Sequence, residues 1–222
     1  MSKDLLVDIG NSNTALAEYS GGKIKEIKKI KSLKNYDRVI VSSVAPSKNR
    51  RFKNALFVTH KNIPELRLNM EKPAEVGADR LVNALAAYTH YGSPCLIVDS
   101  GTAVTFCVVT GNGIYQGGVI FPGMRIASQA LNSHTEKIPL IFVSKRKTLT
   151  GKTTKQAVQA GLYFGYIHLI NGIIADYRKQ IPGLRVIGAG KGLNILKDQL
   201  SLDYFDPLLT LRGLAIVADN HV

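Results

Sequence analysis

Two stretches of this 222-residue chain repeat one another closely enough to constrain its whole architecture. Leu5-Leu6-Val7-Asp8-Ile9-Gly10-Asn11-Ser12-Asn13-Thr14 runs alongside Leu96-Ile97-Val98-Asp99-Ser100-Gly101-Thr102-Ala103-Val104-Thr105, 91 residues later. Each reads as a buried apolar strand, an Asp-x-Gly step and a small polar turn. A second apolar run follows, Ala15-Leu16-Ala17 in one copy and Phe106-Cys107-Val108-Val109 in the other. Strand, glycine-containing turn and strand make a β-hairpin. A hairpin repeated in the same strand context implies a duplicated domain.

The expected fold is therefore α/β, with two halves that each open with a hairpin and face each other across a cleft. The turn cluster Tyr91-Gly92-Ser93-Pro94 sets the boundary, giving halves 1–93 and 94–222. Leu81, Leu85 and Tyr88 stand at helix spacing and predict a helix over 80–88. Strands are expected at 39–41, 56–58, 114–121, 140–143 and 184–187, and helices at about 126–131, 155–179 and 208–220.

Composition narrows the class further. Hydrophobic residues at 45% and charged residues at 20% exclude a disordered chain. No run approaches the roughly 20 consecutive apolar residues of a membrane span, and Asp8 interrupts the early apolar run too soon for a secretory signal. Cys95 and Cys107 are too few for a disulfide framework or a four-ligand zinc site. A reduced, cytoplasmic protein with no membrane partner is expected. The net charge of +13 invites a nucleic-acid reading, but it is concentrated: twelve basic residues lie between Lys23 and Lys61, where Glu26 and Asp37 are the acids. No aromatic residues interleave with them as a stacking platform would require, and no helix-turn-helix or zinc-finger spacing is present. A nucleic-acid partner is disfavoured against a solvated basic face that attracts small polyanions.

The turn Asp8 to Thr14 has the make-up of a phosphate-binding hairpin. Gly10 admits a ligand close to the backbone, the short polar residues Asn11, Ser12, Asn13 and Thr14 supply donors, and tight-turn N–H groups form an anion-binding concavity. Asp8 is able to hold Mg²⁺ directly or through water. The same residues favour ordinary turns, so it is the matching Asp99 turn that gives the functional reading its weight. Phosphoryl transfer calls for a metal, donors around the phosphates and a base at the acceptor. Glu75-Val76-Gly77-Ala78-Asp79-Arg80 offers that base, although a carboxylate at a helix start is equally a cap. Two P-loop imitations fail: Gly151-Lys152-Thr153-Thr154 has Arg146 where the first glycine belongs, and Gly190-Lys191 is followed by Gly192 where Ser or Thr must bind Mg²⁺. The five histidines have no metal-ligand spacing, and no Gly-x-Ser-x-Gly elbow is present.

With these residues in view the sequence resembles the type III pantothenate kinases of bacterial coenzyme A synthesis, members of the actin/hexokinase-like, ribonuclease-H-like superfamily. The resemblance is ordered along the chain: Asp8 to Thr14, Glu75 to Arg80, Asp99 to Ala103, Gly117 to Gly123, Gln159 to Gly161, and Leu209 to Leu214. It implies ATP-dependent phosphorylation of pantothenate to 4′-phosphopantothenate. Asp8, Ile9, Gly10, Asn11, Ser12, Asn13 and Thr14 would form the ATP-phosphate turn, with Thr102 also at ATP. Gly77, Ala78, Asp79, Arg80 and Thr154 would line the pantothenate site, with Asp79 as general base. Asp99 would hold a monovalent cation, K⁺ or NH₄⁺, beside the Mg²⁺ that accompanies ATP. A homodimer is implied as well. Met70, Thr153 and Lys191 depart from the family's usual tyrosine, asparagine and glycine. The competing expectations are a basic nucleic-acid-binding regulator on the same fold, or a superfamily kinase with another small acceptor such as a sugar or acetate.

Overall fold

In the computed structural model, which describes residues 2–221, the first repeat folds as β1 (Asp4–Ile9) and β2 (Thr14–Ser20). They pair antiparallel, with Asp8 opposite Ala15 and Ile9 opposite Thr14. β3 (Lys23–Glu26) continues the meander beyond β2, while β4 (Arg38–Ser43) and β5 (Leu56–Phe57) add parallel strands on the other side of β1. The resulting sheet has the order β3-β2-β1-β4-β5. Further along lie β6 (Arg67–Leu68), α1 (Ala78–Tyr91), β7 (Cys95–Ser100), β8 (Ala103–Thr110), β9 (Ile114–Pro122), α2 (Met124–Ser133), α3 (Thr154–Gln180), β10 (Arg185–Ala189), β11 (Tyr204–Phe205) and α4 (Leu209–Asn220). The second sheet runs β11-β10-β7-β8-β9-β6. With edge strand β6 set aside, it repeats the order of the first: a hairpin and third strand on one side, two later strands on the other.

The expected hairpins, the long helix and the closing helix are all present. α1 begins two residues before its predicted start, and β3, β6 and β11 are short edge strands that periodicity does not reveal. The strand expected at 140–143 is absent: this stretch is irregular, and Ile141 is pinned to α2 by a reciprocal pair of bonds. Its N–H donates to Oγ of Ser128 (2.9 Å), and that hydroxyl donates to its carbonyl (2.7 Å).

The chain divides into two units, one comprising Met1–Cys95, Cys107–Gly117 and Leu208–Val222, the other Leu96–Phe106 and Gly118–Pro207. In the first, Leu5, Val7 and Ile9 alternate onto one face of β1 and pack with Val41, Ala45 and Phe52. α1 and α4 lie on the other face, so β1 is buried on both sides, and its apolar run is unbroken until Asp8. The two helices approach closely at Gly213, where a Cβ would lie 2.1 Å from the carbonyl oxygen of Val82. Thr210 donates to Asn83 across the same seam (2.8 Å). The end of α4 is tied to the sheet by Tyr19, whose hydroxyl donates to Asp219 (2.6 Å), and by Arg38, which forks onto buried Asp4 and reaches the carbonyl of His221.

In the second unit α3 packs against α2 and buries Leu162, Tyr166, Ile170 and Ile174. By length and composition alone α3 could cross a membrane. Polar ties hold it instead along its length to its own unit: Tyr166 to the carbonyl of Pro122, Asn171 to Gln199 and Ser201, and Arg178 to Asp203. It is a core helix.

Candidate active site

The first acidic turn forms at the carboxyl end of β1. Gly10 closes it by donating its N–H to the carbonyl of Asn13 (2.9 Å), and Asn11, Ser12, Asn13 and Thr14 are exposed around it. Asp8 is half-buried on the strand beneath and accepts a hydrogen bond from Ser42 of neighbouring β4 (3.0 Å). The side chain of Ile9 belongs to the core, and its carbonyl accepts from Val44 (3.0 Å), so the turn is anchored from below. Lys48, in the 3-10 segment after β4, donates to the carbonyls of Gly10 (3.0 Å) and Asn11 (2.8 Å). Within the basic segment, this lysine therefore has a specific seat on the turn.

Gly77 and Ala78 bring α1 to the same end of the sheet. A Cβ on Gly77 would come within 3.2 Å of Cγ1 of Val44, the residue that binds Ile9. The Asp8 turn and the start of α1 thus share Val44 as a neighbour inside one unit. Asp79 stands in the first helical turn, where its Oδ1 accepts from the N–H of Arg80 (2.7 Å). The packing around it strips water from the carboxyl and pushes its pKa above the usual carboxylate range. The Arg80 N–H and guanidinium pull the other way without prevailing. A carboxylate of raised basicity at a helix N-terminus is both a cap and a competent proton acceptor. Arg80 turns inward, its Nε donating to Sγ of Cys107 (3.2 Å) and its guanidinium lying over the Tyr115 ring at 5.9 Å.

The second acidic turn, in the other unit, reproduces the burial pattern of the first residue for residue along its leading strand, with Asp99 again half-buried at the fifth position. The turns differ in length: four residues separate β1 from β2, but Gly101 and Thr102 alone separate β7 from β8. Three later glycines brace this turn. Gly123 donates its N–H to the carbonyl of Thr102 (3.0 Å) and has backbone at 2.5 Å from where its Cβ would be. Gly190, at φ +79°, sits so close that a Cβ would fall 2.1 Å from Oδ1 of Asp99, and one on Gly192 would fall 2.5 Å from the carbonyl of Ser100. A cavity of about 230 Å³ opens beside them, lined by Ser100, Gly101, Arg125, Phe142, Lys191 and Gly192 among others. Thr154 opens α3, and Thr153 before it is the N-cap, accepting from the N–H of Gln156 (3.2 Å). Gly151 is pressed against the first turn of this helix, so Gly151-Lys152-Thr153-Thr154 is a helix entry.

Sequence reasoning missed Lys48, Cys107 and Tyr115 as neighbours of the site, and saw in Gly190 and Gly192 a failed P-loop rather than a brace. A lysine seated on carbonyls 37 and 38 residues away leaves no local pattern.

Comparison with known proteins bears directly on this arrangement. The family described as type III pantothenate kinase matches residues 26–176. The chain belongs to the type III pantothenate kinase family. Named type III pantothenate kinases from Listeria monocytogenes and Listeria innocua are 40% and 41% identical to it over 154 residues, 68% of this chain and 60% of theirs. The chain thus aligns with about three-fifths of the length of these curated relatives. Among solved structures, a Campylobacter jejuni protein assigned to the Baf family of transcriptional activators aligns over 98% of both chains, with a TM-score of 0.64 and 22% identity. A Sinorhizobium meliloti protein assigned as a 2-dehydro-3-deoxygalactonokinase aligns over 97% of this chain and 96% of its own, with a TM-score of 0.61 and 12% identity. These two likenesses are of fold, a mixed α/β architecture with two sheets.

The type III pantothenate kinase match includes Asp79, Asp99, Thr102 and Thr154, and begins after the Asp8 turn. Among the described residues no group of three or more His, Cys, Asp or Glu side chains is arranged to hold a metal ion. Asp8 and Asp99 belong to no such group. A carboxylate beside a polar glycine turn is a ligand type Mg²⁺ accepts, since that ion keeps several waters and takes few protein ligands.

Proposed function

We propose that this chain transfers the γ-phosphoryl group of ATP to the primary hydroxyl of pantothenate, giving 4′-phosphopantothenate and ADP, the entry to coenzyme A synthesis in the cytoplasm. The observation that carries the reading is Asp79: half-buried, of raised basicity and next to Arg80, inside the segment that the family shares. Asp79 takes the proton as the hydroxyl oxygen forms its bond to the γ-phosphorus, and the bond to the ADP oxygen breaks on the opposite side. Gly77 and Ala78 leave room for the acceptor, Arg80 faces its carboxylate, and Thr154 completes that side. The Asp8–Thr14 turn grips the phosphates with its N–H and hydroxyl groups, and Thr102 meets ATP from the second turn. Asp8 would be the protein partner of the Mg²⁺ bound with ATP, which would neutralise phosphate charge. Asp99 would hold K⁺ or NH₄⁺.

In the same reading the two hairpins belong to duplicated actin-like halves, 1–93 and 94–222, that face each other across the ATP cleft; the repeated strand order and burial pattern support this. The active form is a homodimer. Its support is an exposed face of α3 on which a Cβ added at Gly161, Gly165 or Gly172 would meet nothing within 4 Å, so no packing against another element inside the chain requires these glycines.

The test is an ATP-dependent phosphorylation assay over pantothenate, a sugar and acetate, for the wild type and Asp79→Asn. Turnover of pantothenate alone, lost in Asp79→Asn, is expected. Turnover of another acceptor, or near-normal turnover in the variant, refutes the acceptor or the base respectively. A salt-steep association with duplex DNA and no phosphorylation of any acceptor would favour a regulator instead.

A further inference from the structure

We propose that Cys107 and Tyr115 are positioning residues for Arg80: they hold its guanidinium by Nε and by one face, so that its terminal nitrogens present a fork to the carboxylate of the acceptor. The inference rests on the pantothenate reading above. Two hydrogen bonds converge on one sulfur, and a ring contact accompanies them. Nε of Arg80 donates to Sγ of Cys107 (3.2 Å), the Tyr115 hydroxyl donates to the same atom (3.4 Å), and the Tyr115 ring lies under the guanidinium with its centroid 5.9 Å from Cζ. Cys107 is 2% exposed and Tyr115 fully buried, so neither anchor can drift. Cys107 comes from β8, Tyr115 from β9 and Arg80 from the first turn of α1.

A guanidinium carries five N–H groups in one plane. A hydrogen bond at Nε together with a ring whose centroid lies 5.9 Å from Cζ restrains that plane. The terminal nitrogens then have one orientation, and bidentate recognition of a carboxylate needs such preorganisation. The charge argument points the same way. The anchors are a thiol, a phenol and an aromatic ring, and among the described residues no carboxylate forms an ion pair with Arg80. The carboxylate of Asp79 is directed instead to the backbone N–H of Arg80. Burial alone would disfavour the charge, but Cys107, Tyr115 and the field of Asp79 hold the guanidinium pKa above its usual value, so it meets an arriving carboxylate fully charged.

The test is a set of Arg80→Ala, Cys107→Ala, Cys107→Ser and the Arg80→Ala/Cys107→Ala double variant, measured by calorimetric binding of pantothenate and by steady-state kinetics with each substrate varied. Arg80→Ala is expected to weaken pantothenate binding by roughly 10- to 100-fold, the range for a hydrogen-bonded charge. Cys107→Ala should weaken it by about tenfold, and Cys107→Ser, which keeps an acceptor, by no more than about threefold. The KM for ATP stays unchanged in all of them. Cys107→Ala adds less than about twofold once Arg80 is gone, because the thiol acts through the arginine. A structural role would instead move both KM values and the melting temperature, and would add to Arg80→Ala. Cys107→Val, which fills the space without an acceptor, repeats the test if the alanine variant does not fold. Pantothenate affinity within twofold of wild type in Cys107→Ala or Cys107→Val, alongside a strong Arg80→Ala effect, overturns the positioning role and leaves the acceptor reading standing. No effect of Arg80→Ala removes the acceptor contact itself, and the positioning role falls with it.

Discussion

Gly77→Ala separates the two roles open to Asp79. Gly77 has φ −58° and ψ 138°, a conformation any residue adopts, so an alanine strains nothing in the backbone and acts through what its Cβ meets. That atom would lie 2.6 Å from Oδ1 of Asp79, whereas ordinary contact begins at 3.4 Å, so the carboxylate must retreat by about 0.8 Å. Val44, at 3.2 Å on the other side, limits escape in that direction. Oδ1 is the oxygen that accepts from Arg80 at 2.7 Å, and an equal retreat carries that bond to about 3.5 Å, outside hydrogen-bond range. Losing this cap costs roughly 1 kcal/mol, about 2–4 °C of melting temperature for a chain of this size. For a base, displacement approaching 1 Å costs on the order of 10²-fold in rate. Steady-state turnover at saturating ATP, with a thermal melt on the same preparation, gives both numbers. A small loss of stability with a kcat lowered by roughly 10- to 100-fold is expected. If kcat stays within twofold while the melt falls, Asp79 caps α1 and does not take the proton.

Three further outcomes follow from the same geometry. Burial raises the Asp79 pKa, so the folded state binds this proton more tightly than the unfolded chain. Its ionisation therefore lowers stability as pH rises through the window between the ordinary carboxylate value and the raised one. Activity needs the ionised form, so the acid limb of kcat/KM should fall above the ordinary Asp range, and Asp79→Asn should melt at or above wild type at pH 7 despite losing turnover; an acid limb at the ordinary value refutes this. Gly213→Ala puts a Cβ 2.1 Å from the Val82 carbonyl oxygen and 2.6 Å from its carbon, backbone atoms that cannot rotate away. A loss of about 3 kcal/mol, or roughly 6–12 °C by calorimetry, is expected, and a shift under 3 °C would show that the α1–α4 seam yields. Gly190→Ala forces a side chain into a left-handed backbone and onto Asp99. The K⁺ concentration for half-maximal activity should rise by about tenfold or more, as for loss of a charged ligand, and an unchanged K⁺ response would take Asp99 out of the cation site.

What was legible in the sequence was whatever a strand or helix writes into its own neighbours. The two Asp-x-Gly hairpins, the N-terminal carboxylate of α1 and the long α3 all declare themselves within ten to thirty residues, because burial period and turn chemistry are local. The edge strands β3, β6 and β11, of two to four residues, have no room for a period. At 140–143 the apolar pattern is present, but its backbone groups go to Ser128 instead of a ladder, a choice that only tertiary packing makes.

The glycines show why the site was harder to read than the fold. Gly190 and Gly192 look like a nucleotide loop because they are close in sequence, yet their absent side chains are set by Ser100 and Asp99, some ninety residues earlier. Gly213 is likewise set by Val82. In each case a glycine spaces two segments that never meet in the linear chain, and substitution there moves an acidic turn or a helix seam rather than a local bend. The Asp99 turn is thus held by remote backbone more than by its own residues. An exchange within a turn should therefore alter ligand affinity, whereas one at a bracing glycine should alter where the carboxylate stands.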